Sequence, residues 1–341
     1  MTFPTRDFSN AGLDLNGKSV LVTGGTGSFG RAFVRTILSR YQPAKLIVFS
    51  RDEMKQYEMA QEFPDTRYGC MRYFIGDVRD GERLEMAMRG VNIVVHAAAL
   101  KHVPAAEYNP FECIHTNVLG AENVVKAAIR TGVKQVVALS TDKAASPINL
   151  YGASKLASDK IFVAANHLSA GITAFSVVRY GNVIGSRGSL VPLFRRLIAE
   201  RADHLPITDE RMTRFWITLR QGVDFVLSSL AMMHGGEIFV PKIPSTRIID
   251  IARVMAPNMP TEIIGIRPGE KMHEVMITED DARTTGSFPD RYIIQPALNF
   301  WNSDNHSTCS MVPEGFRYAS NTNEEWLDDA ALSRLLQDSS T

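Results

Sequence analysis

The chain has 341 residues, enough for one large domain or two moderate ones. It is 45% hydrophobic and 22% charged, with a formal net charge of zero, which is ordinary for a soluble globular enzyme and excludes recruitment to nucleic acid or anionic lipid by bulk charge. Cys70, Cys113 and Cys309 are odd in number, far apart and in no C-x-x-C pattern. They predict reduced thiols of a cytoplasmic protein, with neither a disulfide framework nor a metal site. Residues 1–17 are polar, with no apolar segment of the kind a signal peptide needs, and no apolar run approaches the roughly 18 residues of a membrane span.

Residues 18–23 (KSVLVT) are a short apolar, β-branched run ending in a glycine cluster, and residues 31–41 then read as a helix. Residues 46–50, 73–76 and 93–96 are three more strand-like runs. Helical patterning covers 117–131, a fifth strand 135–140, a helix 151–165 and a sixth strand 174–179. Short apolar runs alternating with helical segments predict a parallel sheet covered on both faces, the doubly wound, Rossmann-like α/β class. After Asn182 the rhythm breaks. Helical stretches at 191–200 and 220–233 are separated by Pro206 and the charged segment 209–214, and Pro, Gly and short apolar runs intermix through Glu274. The expected division is 1–182 as a dinucleotide-binding domain and 183–341 as mainly a smaller substrate-binding domain, with some segments returning to the first. The stretch from Ala297, rich in Asn, Ser and Asp, is expected to wrap the surface and to end in a short helix over 323–336.

Gly24, Gly27 and Gly30 stand at G-x-x-G-x-x-G spacing in TGGTGSFG, between a strand and a helix. Such a turn needs glycine to be tight, to bring backbone to a pyrophosphate, and to pack helix on strand. With Thr26, Ser28 and Phe29 these glycines form the expected cradle of a dinucleotide. The end of the second strand selects among dinucleotides. A carboxylate there would hold the ribose hydroxyls of NAD. Here the strand ends in Ser50, and Arg51 follows, with Lys55 one turn later. A guanidinium suits a 2′-phosphate, so the reading is NADP. The competing reading makes Arg51 a solvated charge and gives Asp52 the acidic role. Asp77, after the third strand, is placed to accept from an adenine amino group. Ala97, Ala98 and Ala99, after the fourth, are small enough for a cofactor to lie against the backbone, or equally for close helix packing.

Tyr151 and Lys155 share one face of a helix at four-residue spacing. A nearby ammonium favours the phenolate and lowers a tyrosine pKa. Tyr151 is therefore the expected acceptor of a proton from a sugar hydroxyl while hydride leaves for NADP, with Lys155 also bonding the nicotinamide ribose. Thr141, ending the preceding strand, is placed to hold the same hydroxyl.

The glycine loop and the tyrosine–lysine pair resemble those of the extended short-chain dehydrogenase/reductase superfamily. SRDEMKQ, HAAALKHVP, TNVLGAENV, STDKA, RYGNVIGSRGS and RPGEKMHE together are similar to the motifs of the inverting UDP-N-acetylglucosamine 4,6-dehydratases, from about Leu15 to Leu327. Within that family the resemblance is to the soluble members that open pseudaminic acid synthesis. It implies oxidation at C4, elimination of water across C5 and C6, and hydride return to C6, with a tightly bound NADP recycled in each turnover. The implied product is UDP-2-acetamido-2,6-dideoxy-β-L-arabino-hexos-4-ulose. Elimination needs an acid and a base beyond Thr141, Tyr151 and Lys155. By resemblance Asp142 is the acid at the C6 hydroxyl and Lys143 the base at C5, Lys143 standing where retaining relatives carry Glu. A basic Lys143 must be neutral part of the time, and desolvation is expected to lower its pKa.

The resemblance also marks Lys101 as an active-site residue, whereas His102 reads as a structural turn residue. Holding a diphosphate on a neutral chain requires local cations and donors. The candidates are Arg179, Asn182, Arg187, Ser189 and Arg267, with Glu270 for ribose hydroxyls and Lys242 and Thr246 matching family positions in the nucleotide pocket. Partners implied are UDP-N-acetylglucosamine and further copies of the chain in a homo-oligomer, with no nucleic acid, membrane or metal. Two enzymatic readings compete: a UDP-sugar 4-epimerase, which needs no Asp142–Lys143 pair, and a capsule or O-antigen dehydratase acting on the same substrate. A non-enzymatic NADP sensor is disfavoured by the intact set Thr141, Asp142, Lys143, Tyr151 and Lys155.

Overall fold

In the computed structural model, which describes residues 6–8, 12–186, 188–297 and 305–338, the apolar runs of the first half form six parallel strands. They are β1 (Ser19–Thr23), β2 (Lys45–Ser50), β3 (Met71–Ile75), β4 (Ile93–His96), β5 (Gln135–Thr141) and β6 (Ala174–Tyr180). Side by side they run β3-β2-β1-β4-β5-β6. β1, SVLVT, is buried along its whole length, because a central parallel strand has layers on both faces. Helices α1 (Ser28–Arg40), α2 (Glu53–Glu62) and α3 (Gly81–Met88) link the first four strands. Asp52 caps α2 through the Lys55 amide at 3.0 Å, and Asp80 caps α3 through the Arg83 amide at 2.9 Å.

Between β4 and β5 lie α4 (Val103–Tyr108), α5 (Pro110–Ile114), a π-helical turn (His115–Leu119) and α6 (Gly120–Thr131). The single helix expected over 117–131 thus begins as a π turn. The widened turn directs Asn117 inward, where its amide donates to the Leu100 carbonyl at 2.9 Å and Ser154 Oγ at 2.9 Å, and its oxygen accepts from the Leu100 amide at 2.8 Å. Asn117 therefore ties the segment after β4 to α7 (Leu150–Leu168), the helix that carries Tyr151 and Lys155.

The large sheet continues past β6. Ile238–Pro241 adds in parallel, and Arg291–Ile294, Thr285–Ser287 and Ser310–Met311 follow antiparallel, giving ten strands. The helix Leu219–Met232 packs beside α1, with Arg40 paired to Asp224 at 2.5 Å. The fold class is the expected one.

The smaller lobe has a sheet of Ser245–Arg247, Thr213–Ile217 and Asn182–Val183, and helices Leu190–Ala199, Ile248–Met255 and Asp329–Asp338. These close on a second core around Phe194, Trp216 and Leu335. The last helix begins later than the expected residue 323. Asn323 instead lies outside any helix, donating to the Ile243 carbonyl at 2.9 Å and Ser245 Oγ at 3.0 Å. Among the described residues no helix is long and apolar enough to cross a membrane.

Candidate active site

A cleft of about 820 Å³ runs along the carboxyl ends of the parallel strands, where open α/β sheets bind ligands, and its far wall belongs to the smaller lobe. Its first end is the glycine loop. Gly24 has φ +63°, and a Cβ there would stand 2.8 Å from the backbone of Ala98, so only glycine lets the loop lie on the segment after β4. Gly27 starts α1 with no side-chain cap, and no acidic residue occupies the first turn. The backbone amides and helix dipole of that terminus suit a phosphate. Thr23 Oγ1 fixes the loop from below, bonding His96 Nδ1 at 2.8 Å and accepting from the amides of Ala97 at 3.2 Å and Ala98 at 3.3 Å. Gly24, Thr26, Gly27, Ser28, Phe29, Gly30, Ala97, Ala98 and Ala99 all line the cleft.

Ser50, Arg51, Lys55 and Asp77 line the same end. Ser50 Oγ is taken by Gln56 Nε2 at 3.1 Å, so the hydroxyl turns inward. Asp52 is committed to the α2 cap and to Lys55 Nζ at 2.6 Å, which removes it as a ribose carboxylate and also occupies Lys55. Arg51 is the cation left open, half-exposed, with its guanidinium 3.8 Å from Asp77. Asp77 accepts from the Arg79 amide and guanidinium at 3.0 and 2.7 Å. Burial opposes its charge, but Arg79 and then Arg51 hold its carboxyl below the usual range.

The chemical end is built where β5 stops. Thr141 Oγ1 caps a short 3₁₀ turn, Asp142–Ala144, and Asn149 caps α7 through the Gly152 amide at 2.7 Å. A Cβ at Gly152 would collide with the Lys143 carbonyl, so glycine lets the first turn of α7 lie on the Asp142–Ala144 turn. This sets Tyr151 beside Thr141, whose side chain favours the phenolate. Burial is the stronger influence and pushes the Tyr151 phenol up to about 12, although Lys143 and Thr141 pull it down. The expected lowering by Lys155 is therefore overridden. Lys155 is buried, its own pKa is lowered by burial, and Asp159 one turn on partly restores it.

Asp142 and Lys143 form an ion pair at 3.1 Å, and Thr141 Oγ1 donates to the same Asp142 oxygen at 3.0 Å. Asp142 is fully buried and stands behind the cleft wall, which Thr141 and Lys143 form. Its other oxygen has no protein partner. Burial raises the Asp142 pKa, and Glu274 adds to the rise. Burial disfavours the Lys143 ammonium, but Asp142 and Glu274 outweigh it and hold the pKa above the ordinary lysine value. That reverses the expected lowering. A buried amine between two carboxylates gains more from them than desolvation removes.

Of the substrate-side candidates, Lys101, Asn182, Ser189, Arg267 and Glu270 line the cleft. Ser189 Oγ and Glu270 Oε2 are buried without protein partners, which leaves polar atoms for a ligand. Three candidates go elsewhere. Arg179 is buried in a pair with Asp159 at 3.2 Å, so it serves the core and not a diphosphate. Lys242 donates to Ser287 Oγ at 2.9 Å and covers the Tyr292 ring, outside the cleft wall. Thr246 is wholly buried in the small sheet. Arg187 lies outside the described residues. His102 caps the start of α4, as a turn residue would, yet its ring also faces the cleft and presses on Gly188.

The residues that sequence reasoning missed come from one segment and one strand. Arg214, Lys271 and Glu274 line the cleft beside Lys143. Glu274 is 3.0 Å from Lys143 Nζ and 3.7 Å from Arg214 Nε. Asn149 donates to the Gly269 carbonyl and Lys271 to the Ala145 carbonyl, both at 2.7 Å, fastening 269–274 to the segment 145–149 that follows the Asp142–Ala144 turn. Lys271 and Glu274 lie in RPGEKMHE, a motif singled out only for Arg267 and Glu270.

Residues 20–296 match the polysaccharide biosynthesis protein family. The chain is 55% identical over 329 residues to "UDP-N-acetylglucosamine 4,6-dehydratase (inverting)" of Campylobacter jejuni subsp. jejuni serotype O:2, covering 94% of this chain and 98% of that one. It is 43% identical over 289 residues to a UDP-glucose 4-epimerase of Rickettsia massiliae, covering 81% and 82%. Among solved structures, that of Pen from Bacillus thuringiensis superposes with a TM-score of 0.87 at 36% identity, covering 96% of this chain and 99% of that one. The chain belongs to the polysaccharide biosynthesis protein family and, within it, to the inverting UDP-N-acetylglucosamine 4,6-dehydratases.

Proposed function

We propose that the chain dehydrates UDP-N-acetylglucosamine at C4–C6 with inversion at C5, using NADP. The observation that carries the reading is the buried Asp142–Lys143 pair joined to Thr141 and Tyr151 at one point of the cleft. A 4-epimerase needs only the Thr141, Tyr151 and Lys155 part. A nicotinamide held in the cleft would supply the hydride chemistry, acceptance from C4 and return to C6. Tyr151 accepts the C4 hydroxyl proton, helped by Thr141 and by the Lys143 charge. The resulting 4-ketone acidifies C5–H, and Lys143 Nζ, as the neutral amine, removes that proton. Asp142 supplies the proton that leaves with the C6 oxygen as water. Since Asp142 is buried, this proton crosses the Thr141 hydroxyl, 3.0 Å away.

The chain's residues fit the dinucleotide: Gly24 lets the loop lie directly on Ala98, and the backbone amides at the start of α1 suit phosphate. Arg51 supports NADP over NAD, since Asp52 is already committed. Arg267, Glu270, Ser189, Asn182 and Lys101 are the proposed holders of the nucleotide sugar, with Arg187 as a further candidate. We also read residues 1–182 as mainly cofactor-binding and 183–341 as mainly substrate-binding, in a cytoplasmic homo-oligomer whose product feeds pseudaminic acid synthesis, on the resemblance of the motifs. A capsule or O-antigen sugar is the competing destination.

The test is product mass. Incubation with UDP-N-acetylglucosamine should give a product lighter by one water. An isomer of unchanged mass would support the epimerase reading.

A further inference from the structure

The acid–base chemistry above uses one carboxylate beside Lys143, and the structure supplies two. Glu274, whose side chain is 1% exposed, reaches from the end of the 269–274 segment to place Oε1 3.0 Å from Lys143 Nζ. Arg214 Nε lies 3.7 Å from the same oxygen, and Lys271 Nζ 4.0 Å from Oε2. The backbone on either side is pinned: the Glu274 amide donates to Ser320 Oγ at 2.9 Å, and the Ser320 amide donates to the Glu274 carbonyl at 2.8 Å. Burying a carboxylate this deeply costs several kcal/mol unless cations compensate it, so its placement against Lys143 calls for a role.

We propose, on the basis of the dehydratase reading, that Glu274 is a positioning residue for the elimination: it holds the Lys143 ammonium in competition with Asp142, and so sets how the one proton between Lys143 and Asp142 is shared.

That proton has two places. On Lys143 it makes an ion pair, and Lys143 cannot act as a base. If the Nζ–H bond breaks and an O–H bond forms on Asp142, 3.1 Å away, the same two groups become a neutral amine and a neutral acid. These are the base and acid that elimination consumes, and the shift changes no net charge. The two steps of the reaction want opposite states. Oxidation at C4 benefits from a charged Lys143, whose field favours the Tyr151 phenolate. Elimination needs Lys143 neutral. Glu274 favours the charged state, so it keeps the pair in the form suited to the first step.

The two carboxylates beside Lys143 are driven apart. Burial raises Asp142, whereas Lys143 and Arg214 overcome burial at Glu274 and hold it low. Divergent environments for paired carboxyls mark different roles. The groups facing this cluster are Thr141, Asp142 and Lys143 from the catalytic turn, Tyr151 from α7, Arg214 from the small sheet, and Lys271 and Glu274 from the 269–274 segment. His273 turns away, bonding Thr213 Oγ1 at 2.8 Å.

Glu274→Gln keeps the shape and removes the charge. The readouts are the pH profile of kcat for dehydration and of deuterium uptake at C5 in deuterated water. The acid limb of both should move at least one pH unit lower, with KM within about threefold, and Glu274→Asp should bring the limb back toward its original position. An unshifted limb in an active variant, or an Asp variant no nearer the unmodified protein than the Gln variant, overturns the proposal alone. An unmodified chain that forms no dehydrated product defeats the dehydratase reading as well. If the Gln variant does not fold, the Lys143 side-chain NMR titration in the unmodified protein decides: a pKa above the ordinary lysine value is expected, and one below it overturns the proposal.

Discussion

At the glycine loop the cleft is walled by backbone. Gly24, Ala97 and Ala98 meet at close range, and the groups that fix them, Thr23 and His96, are neutral and buried. At the other end the cleft is walled by charge. Asp142, Lys143, Arg214, Lys271 and Glu274 converge there from a turn, a strand and a loop in two lobes. The first end is a shape that one short stretch of chain dictates. The second is a balance of opposing fields that exists only after the lobes close on each other. Changes at the first should act on stability and cofactor affinity, and changes at the second on proton transfer.

The largest effect expected is from Lys143→Ala, which removes the proposed base and leaves Asp142 and Glu274 facing each other. Dehydration should fall by about 10²–10⁴-fold, the range of general acid–base catalysis. Unchanged product formation would break the charge-walled description. Next, Gly24→Ala forces a side chain into a φ of +63° and against Ala98. It should cost on the order of 2–3 kcal/mol, from left-handed backbone strain and overpacking together, read as a lower melting temperature and lost dinucleotide binding.

His96 gives a third contrast, because the neutral end should fail in acid. Burial, helped by Lys155, pushes its pKa down to about 3 from an ordinary 6.5. Between those values the unfolded chain binds a proton that the folded chain refuses. Stability should therefore fall as pH drops below 6.5, by at most roughly 1.4 kcal/mol per unit, and the slope should vanish near 3. Melts at pH 7 and pH 5 should show a shallower loss for His96→Asn than for the unmodified protein, and equal losses would contradict this. The smallest effect expected is at Arg51→Ala, about tenfold in NADP affinity relative to NAD, or roughly 1.4 kcal/mol. Equal losses for both dinucleotides would show that Arg51 does not read the 2′-phosphate.

The same contrast explains what could be read from the chain. β1 to β6 are legible because each is a short apolar run bounded by turn residues, and the glycine loop is legible because its geometry is local. Tyr151 and Lys155 are legible from helical spacing. Arg214 carries no local signal, and Glu274 only its place in RPGEKMHE, which does not say what it touches. They are charged residues in charged segments, and only the packing of Thr213–Ile217 and of 269–274 against the catalytic turn brings them to Lys143. The same long-range packing takes Arg179 into the core with Asp159 and turns Lys242 toward Ser287. The Lys143 pKa runs opposite to the expectation for this reason: desolvation is foreseeable from sequence, whereas the second carboxylate is not.

The most direct measurement of the central claim is the NMR spectrum of the product formed from UDP-N-acetylglucosamine in deuterated water. The expected product is a 4-keto-6-deoxy sugar carrying deuterium at C5 in the L configuration, with Lys143 as the proposed base at C5 and reprotonation of the inverted centre from solvent. A product that keeps its C6 hydroxyl, or one with no solvent deuterium at C5, would contradict it.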